Sequence, residues 1–333
     1  MSMEEERLAI INQLERDNFN FDELALRIYE YQRVHNPVYQ EYCQLLNVPF
    51  KLKQIELIPF LPIQFFKTHE VKTGSHWEAE QIFESSGTTG NNTSRHFVRS
   101  CSLYLKNSLK IFNAKYGNIK DYHVLALLPS YLERNNSSLV AMAKYFMDHS
   151  GQDQSSFFLN DYDSLIQQLK NNNKKGVQSI VIGVTFALLD FPITEKKLFE
   201  NVIIVETGGM KGRKKEMTRM ELHNVLKDKF GVTAIHSEYG MTELLSQAWS
   251  TGEGIFTFTK TMKVTLRELS DPLSSQKIGK TGIVNIIDLA NVDSCAFIAT
   301  DDLGQMKNEN QFEILGRVDG SAIRGCNLLY IPQ

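Results

Sequence analysis

Several common sequence features are missing, and each absence argues against a class of protein. The four cysteines form no C-x-x-C pair and are scattered through 333 residues, which argues against a thiolate zinc site, a dithiol redox motif and a disulfide framework. The phosphate loop G-x-x-x-x-G-K-[ST] does not occur. Basic residues number 36 and acidic residues 39, giving a net charge of −3, so we expect no nucleic-acid partner.

Targeting and membrane signals are missing too. The first ten residues, MSMEEERLAI, are acidic where a signal peptide would be basic and then apolar. No uninterrupted apolar run reaches the length that spans a bilayer. Hydrophobic residues make up 42% and charged residues 23% of the chain, which is ordinary for a soluble globular protein. We therefore expect a cytoplasmic protein without a membrane span.

Hydrophobic periodicity predicts the local structure of the first 80 residues. Residues 4–46 carry apolar side chains at helical spacing and predict two or three amphipathic helices. Residues 55–72 are apolar but contain Pro59 and Pro62. Because proline disrupts both regular helices and central strands, we predict an extended buried segment there.

Apolar runs alternate with helical patterns between about residues 80 and 240, which predicts a parallel α/β sheet. Ligands in such sheets bind beyond the carboxyl ends of the strands. The polar turns of this region fall at those predicted ends, in 85–90, 129–134, 183–186, 206–209 and 237–243. We therefore expect one site at one sheet edge.

The hydrophobic pattern of the sequence changes after about residue 253, where alternating apolar and polar residues predict antiparallel strands. We predict two parts: an α/β core over 1–250, with a helical start at 1–50, and a smaller β-rich part over 251–333.

The stretch FESSGTTG carries hydroxyls and bare backbone amides directly after an apolar strand pattern. Without a Walker lysine, such a loop would bind phosphate through N–H groups and hydroxyls, as an anion nest does. A surface turn is the alternative if the stretch is taken alone. The candidate phosphate-binding residues are Ser85, Ser86, Gly87, Thr88, Thr89 and Gly90.

A second polar turn, SEYGMTE, occupies residues 237–243. Tyr239 offers a flat ring on which an adenine could stack. Thr242 offers a hydroxyl, and Glu243 offers a hard oxygen ligand for Mg²⁺. Taken singly, Tyr239 could be a packed aromatic residue and Glu243 an acid favoured by a helix dipole.

Together these stretches resemble motifs of the adenylate-forming superfamily of acyl- and aryl-CoA synthetases, adenylation domains and luciferases. SSGTTG resembles its phosphate loop, YGMTE its adenine motif, ETGG at 206–209 its Gly-Gly segment, TDDLG at 300–304 its ribose-binding motif, and GRVDGSAIRG at 316–325 its hinge. The resemblance implies nucleotide contacts from Glu206, Gly208, Gly209, Glu238, Tyr239, Gly240, Met241, Asp302 and Arg317. It implies catalytic roles for Thr242 and Glu243, with Glu243 also as the metal ligand.

The sequence departs from the superfamily pattern in places. Asp301 replaces a glycine of the ribose motif. The phosphate loop of the superfamily usually ends in a lysine, and Arg95 is the candidate catalytic residue that substitutes for it here. The phosphate loop comes early in the chain, and the mobile C-terminal lid domain with its lysine is expected to be largely missing.

This compact form is similar to the acyl-protein synthetase component of the bacterial bioluminescence fatty-acid reductase complex. In that family a fatty acid is activated as acyl-AMP and passed to a cysteine near the C-terminus. Cys326, beside Arg324, is the candidate nucleophile here, because a neighbouring cation lowers a thiol pKa. A buried structural thiol is the alternative.

The resemblance therefore implies an ATP- and Mg²⁺-dependent ligase that activates a carboxylic acid, a fatty acid in the first interpretation. The acyl acceptor would be a protein thiol, with a reductase or carrier protein as possible partner. Two alternatives stay open: transfer to coenzyme A or a carrier protein, and a non-catalytic protein that binds a nucleotide or acyl-AMP.

Overall fold

The computed structural model describes residues 2–16, 18–74, 76–85, 93–128, 136–151, 157–193, 196–208 and 217–318. The N-terminal part contains the helices α1 (Met3–Arg16), α2 (Phe21–His35) and α3 (Pro37–Leu45). The Asn20 side chain caps α2 by accepting hydrogen bonds from two backbone amides, and the Asn36 side chain caps α3 by accepting one from the Tyr39 amide. These caps satisfy amides that a helix start leaves unpaired, and the predicted helices are confirmed.

The segment 55–72 is not extended throughout, and this part of the prediction is wrong. It contains a 3-10 turn at Ile55–Leu57, the strand β1 (Leu61–Pro62) and the short helix α4 (Phe65–Thr68). β1 pairs in parallel with a strand of the C-terminal sheet, with Leu61 opposite Ile298. The prolines prevent a long helix, but they permit single turns on either side of β1.

The strands β2 (Gln81–Glu84) and β3 (Arg95–Val98) form a separate antiparallel hairpin. The prediction that the loop at 85–90 follows a strand of the parallel sheet is therefore wrong. A parallel crossover needs about a dozen residues or more and usually a helix, and the connection between these strands is shorter. The chain returns directly and pairs β3 with β2.

A five-stranded sheet follows. Its strands lie in the order β4 (Tyr122–Leu127), β5 (Gln178–Val184), β6 (Val202–Thr207), β7 (His236–Tyr239) and β8 (Ala248–Ser250). The first four are parallel, and β8 runs antiparallel to β7. Every residue of β4 is buried, as expected for a strand covered on both faces. The predicted parallel α/β sheet is confirmed.

Helices alternate with these strands. They are α5 (Cys101–Tyr116), α6 (Ser138–His149), α7 (Tyr162–Lys175), α8 (Thr185–Asp190) and α9 (Arg219–Phe230). A capping box of Thr218 and Glu221 starts α9, and Gly231 ends it in the left-handed conformation. Apolar side chains of the helices and of both sheet faces form one core cluster.

The C-terminal sheet has the order β10 (Met262–Arg267), β11 (Thr281–Asp288), β12 (Phe297–Asn308), β13 (Gln311–Arg317) and β9 (Ile255–Thr257). All of these neighbours are antiparallel. Burial alternates along β10, the pattern of a strand with one covered face. The predicted β-rich C-terminal part is confirmed.

The N-terminal helices pack against this C-terminal sheet. The rings of Tyr29 and Tyr39 contact the ring of Phe297 on β12. Arg7 on α1 donates two hydrogen bonds to Asp293, at 2.5 and 2.7 Å. Residues of both regions therefore share a second core cluster. The predicted boundary at residue 250 stays a prediction.

None of the helices in the described ranges is both long and apolar enough to cross a membrane.

Candidate functional site

Three predicted site residues from distant parts of the chain are in contact. The Tyr239 hydroxyl, at the end of β7, donates a hydrogen bond to Asp302 Oδ2 at 2.7 Å. Arg317 Nε, at the end of β13, donates to Asp302 Oδ1 at 2.8 Å. Asp302 is 5% exposed. The two hydrogen bonds, and the positive charge of Arg317 in particular, therefore stabilise its buried carboxylate. The contact joins the carboxyl edge of the parallel sheet to the C-terminal sheet.

The Tyr239 ring is buried between aromatic side chains. Its centroid lies 5.8 Å from that of Phe256 and 5.9 Å from that of Phe312. Burial, together with the charge of Asp302, raises the pKa of Tyr239 well above its ordinary value. The hydroxyl is therefore a permanent donor at neutral pH. Adenine stacking on this ring stays a prediction.

Two carboxylates lie side by side where β6 and β7 end. Glu206 accepts a hydrogen bond from Arg219 Nη1 at 2.6 Å and lies 3.5 Å from His223 Nε2. Burial acts to raise the pKa of Glu206, but Arg219 and His223 lower it overall. Glu238 accepts from Thr207 Oγ1 at 2.5 Å, and burial raises the pKa of Glu238 to about 7. The pair therefore combines an ionised and a readily protonated carboxyl group.

Two glycines are required by this arrangement. Gly208 has a φ of +71°, which side chains rarely permit. A Cβ on Gly240 would lie 2.4 Å from Glu238 Oε1. Gly208 thus permits the left-handed backbone, and Gly240 leaves room for the Glu238 carboxylate.

Thr242 and Glu243 follow Gly240 and Met241 in the turn between β7 and β8. Glu243 is 4% exposed. Burial raises the pKa of the Glu243 carboxyl above its ordinary value, while a hydrogen bond with Ser94 and the charges of Arg317 and Lys67 act in the opposite direction. The carboxyl group thus lies within the electrostatic reach of two cations.

The described residues contain no cluster of three or more His, Cys, Asp or Glu side chains that could hold a metal ion. Mg²⁺ is usually bound by one or two carboxylates together with substrate phosphates and water. Glu243 as its ligand stays a prediction. A Mg²⁺ ion here would depend on a bound nucleotide for its other ligands.

Ser85 and Arg95 mark the two ends of the candidate phosphate loop. The Ser94 amide donates to Ser85 Oγ at 2.9 Å, and the Ser85 amide donates to the Ser94 carbonyl at 3.1 Å. The Arg95 guanidinium lies 5.7 Å from the ring centre of Phe97. The loop therefore begins and ends at a fixed base.

Sequence reasoning missed the short segment around α4. Gln64 Nε2 donates to both carboxylate oxygens of Asp301 at 2.7 Å. Lys67 follows three residues later, and residues at this spacing share a helix face. Phe66 contacts the ring of His96 at 5.8 Å. The only sequence signal for this segment is the pair of prolines before it, Pro59 and Pro62.

The three described cysteines have no disulfide. Cys43 and Cys295 are fully buried. Burial raises the pKa of Cys43 to about 11 and also raises those of Cys101 and Cys295. These thiols are therefore protonated at neutral pH.

The other predicted site residues lie outside the described residues. They are Ser86, Gly87, Thr88, Thr89, Gly90, Gly209 and Cys326.

A protein-family comparison agrees with the predicted resemblance. The family described as "Acyl-protein synthetase, LuxE" matches residues 11–331. The long-chain-fatty-acid–luciferin-component ligase of Vibrio harveyi is 22% identical over 330 residues, which cover 90% of this chain and 84% of the relative. The ligase of the same description from Aliivibrio fischeri is 24% identical over 337 residues, covering 92% and 86%.

Solved structures share the fold. The chain is similar to 2-hydroxyisobutyryl-CoA ligase in complex with 2-HIB-AMP and CoA, with a TM-score of 0.63, 11% identity, and coverage of 90% of this chain and 70% of that chain. It is also similar to ATP-bound MatB from Rhodopseudomonas palustris, with a TM-score of 0.52, 15% identity and 71% coverage of this chain. The match spans about half of MatB, 47% of its chain. The predicted adenylate-forming fold is confirmed.

Proposed function

The chain belongs to the LuxE acyl-protein synthetase family, and we propose that it activates a fatty acid as acyl-AMP and passes the acyl group to a protein thiol. One observation carries the proposal: Tyr239 of the adenine motif and Asp302 of the ribose motif, 63 residues apart, are hydrogen-bonded at 2.7 Å. A single nucleotide could therefore meet both motifs. The relatives' names, long-chain-fatty-acid–luciferin-component ligases, favour a fatty acid as the substrate.

The first reaction is attack of a carboxylate oxygen on the α-phosphorus of ATP. A new bond forms between the carboxylate oxygen and the α-phosphorus. The bond between the α-phosphorus and the oxygen that bridges to the β-phosphorus breaks, and pyrophosphate leaves with that electron pair. No general base is needed, because a carboxylic acid is already ionised at neutral pH. Catalysis rests on positioning and on neutralising phosphate charge.

Each motif receives a role. The loop Ser85–Gly90 holds the β- and γ-phosphates, with Arg95 at its end. Glu206, Gly208, Gly209 and Glu238–Met241 surround the adenine, and Asp302 and Arg317 hold the ribose. Thr242 contacts the α-phosphate or the substrate carboxylate. Glu243 is the ligand for Mg²⁺, which would neutralise phosphate charge.

Lys67 is a further candidate for phosphate binding. It is exposed, and among the described residues no carboxylate lies within ion-pairing distance of it. It shares a helix face with Gln64, which contacts Asp301 beside the ribose motif, and its charge reaches Glu243. An unpaired ammonium at this place could bind the phosphates as ATP approaches.

The second reaction is thiolysis. A thiolate sulfur attacks the acyl carbonyl carbon, a C–S bond forms, and the C–O bond to AMP breaks so that AMP leaves. We propose Cys326 as this nucleophile. The raised thiol pKa values of Cys43, Cys101 and Cys295 support this choice, because only a thiolate attacks efficiently.

Carboxylate-dependent exchange of labelled pyrophosphate into ATP tests the first reaction. We expect exchange with fatty acids of one chain-length range and little exchange with aryl acids. If a panel of fatty and aryl acids supports no exchange at all, the protein is a binding protein for a nucleotide or acyl-AMP and the proposal fails.

The acceptor is tested with the variant Cys326→Ala. Labelled fatty acid plus ATP should attach covalently to the wild-type protein and not to the variant, while both catalyse exchange equally. Label transfer to coenzyme A or to a carrier protein, with none on the wild-type chain, would assign the second reaction to a CoA or carrier-protein ligase instead. Mg²⁺ dependence is tested by the same exchange assay with and without a chelator.

A further inference from the structure

The backbone of the turn that carries Thr242 and Glu243 is held by side chains from other parts of the chain. Between β7 and β8 this segment makes no sheet ladder, so its carbonyl groups need other partners. His96 Nδ1 lies 2.8 Å from the Thr242 carbonyl, and Asn291 Nδ2 donates to the Glu243 carbonyl at 2.7 Å. Consecutive carbonyl groups are thus fixed from two directions.

The next residues of the turn are fixed in the same manner. Asn107 on α5 donates to the Leu245 carbonyl at 2.9 Å. The Leu245 and Ser246 amides donate to Asp288 Oδ2 at 2.7 and 3.0 Å. The groups that hold this turn are all buried, so water competes little for these bonds.

His96 is itself held rigidly. It lies on β3, opposite Phe83 in the hairpin register, and Phe66 packs edge-on against its ring with an interplanar angle of 90°. A carbonyl oxygen can only accept, so Nδ1 carries the proton that is donated to Thr242. Burial lowers the pKa of His96 to about 4, so the ring stays neutral and keeps this donor near pH 7.

The position of His96 connects two parts of the proposed reaction. The same hairpin ends at Ser85, where the candidate phosphate loop begins, and the Ser94 amide beside His96 bonds to Ser85 Oγ. Through His96, the base of the phosphate loop and the Thr242 backbone therefore share one rigid connection. His96 is 1% exposed and uses its donor on the backbone, so it does not face the reacting atoms.

We infer that His96 and Asn291 are positioning residues: they hold Thr242 and Glu243 by their carbonyl groups and fix the turn relative to Ser85 and Ser94 at the base of the β2–β3 hairpin. This inference rests on the proposed function. A displacement of about 1 Å at a reacting group can cost about 100-fold in rate, so we expect loss of either anchor to lower the rate.

The variants His96→Asn and His96→Leu form a matched pair. The Asn amide can place a donor near the position of Nδ1, while Leu offers none. We expect His96→Leu to lower kcat for pyrophosphate exchange by about 10- to 100-fold, with KM for ATP changed less than about threefold. His96→Asn should retain most of kcat, and Asn291→Leu should behave like His96→Leu.

The hydrogen-exchange rate of the backbone amides in the peptide that contains residues 241–246 is a second measurement, and it does not depend on enzymatic activity. In His96→Leu this peptide should exchange faster than in the wild type, while peptides of β4 and β5 stay unchanged. If His96→Leu does not fold, Asn291→Leu, which removes the donor to the Glu243 carbonyl, gives the same comparison, and His96→Asn is the control that should exchange like the wild type.

The outcomes separate the inference from the proposed function. A wild-type protein that does not catalyse pyrophosphate exchange overturns the proposed function, and the hydrogen-exchange comparison still decides whether His96 holds the turn. If the wild type catalyses pyrophosphate exchange and a folded His96→Leu is equally active, this inference alone is overturned. Equal loss of kcat in His96→Asn and His96→Leu also overturns it, because the donor would then be irrelevant.

Discussion

Tyr239 and Asp302 are joined by a hydrogen bond of 2.7 Å between the phenol hydroxyl and Oδ2. The two residues come from different sheets, so this bond connects the parallel sheet with the C-terminal sheet at the candidate site. Asp302 receives its other side-chain hydrogen bond from Arg317. Orientation of the Asp302 carboxylate therefore depends on both sheets.

The variant Tyr239→Phe removes one donor from a buried carboxylate. We expect the free energy of unfolding to fall by about 1–3 kcal/mol and KM for ATP to rise by about 5- to 10-fold, a change of about 1 kcal/mol in binding. Urea denaturation and pyrophosphate-exchange kinetics measure the two effects.

Tyr29→Phe is the matched control for this change. Tyr29 is also fully buried, and its hydroxyl donates to the Pro49 carbonyl at 2.7 Å. It should lose stability to a similar degree without a change in KM for ATP. A Tyr239→Phe protein with unaltered KM for ATP would contradict the proposed role of Asp302 in holding the nucleotide.

Glu238 predicts a pH dependence of stability. Its folded-state pKa is raised to about 7 by burial, above the usual 4.5 for the unfolded chain. The folded state therefore holds a proton that the unfolded state has lost, and stability decreases as pH rises from about 4.5 to about 7. At about 1.4 kcal/mol per pH unit, this loss amounts to about 3 kcal/mol.

The variant Glu238→Gln lacks this titration. Relative to the wild type, its free energy of unfolding should increase by about 3 kcal/mol between pH 5 and pH 8. Other titrating groups are common to both proteins and cancel in the difference. Denaturation curves at the two pH values measure it, and parallel pH profiles of variant and wild type would refute the raised pKa.

Lys67 predicts a charge requirement in adenylate formation. Lys67→Ala should lower kcat/KM for pyrophosphate exchange by about 10- to 100-fold, because an ammonium group would be lost from the phosphate site. Lys67→Arg should recover part of the activity. The control Lys120→Ala removes another exposed charge, at the amino end of β4, and should leave pyrophosphate exchange unchanged. An effect as large as that of Lys67→Ala would point to net charge instead.

The buried ion pair between Arg7 and Asp293 predicts strong coupling in stability. Arg7→Met leaves the Asp293 carboxylate buried without its bidentate partner. Only the longer contact with Arg99 Nη1, at 3.8 Å from Asp293 Oδ1, remains among the ion pairs of the described residues. We expect a loss of about 3–5 kcal/mol. The double variant Arg7→Met/Asp293→Asn should be more stable than the sum of the single changes, since no buried charge is left. Additive losses in urea denaturation would refute the coupling.

Local patterns in the sequence were sufficient for most elements. The strands β4, β5 and β6 are apolar runs buried on both faces, and the capping residues Thr218 and Gly231 mark the ends of α9. Such features depend on neighbouring residues, so they can be read from short windows. The pairing of β2 with β3 could not be read in this way, because an apolar strand followed by a polar loop also precedes a crossover helix.

Some residues of the candidate site could likewise be predicted from the sequence, and others could not. The order and chemistry of the motifs around Tyr239, Glu243 and Asp302 were evident in the sequence, because loops that bind a nucleotide require particular residue types. His96, Asn291 and Lys67 carried no such signal. Each is a single polar residue whose partner lies far away in the chain, as in the 146 residues between His96 and Thr242.

The sequence by itself thus determined the family, the alternation of strands and helices, and the candidate chemistry, since these follow from residue type and short-range spacing. Only the tertiary structure decided that the N-terminal helices pack on the C-terminal sheet, and that buried side chains anchor the turn at Thr242. These contacts join residues from 42 to 286 positions apart, and their free energy arises only when burial removes water from both partners.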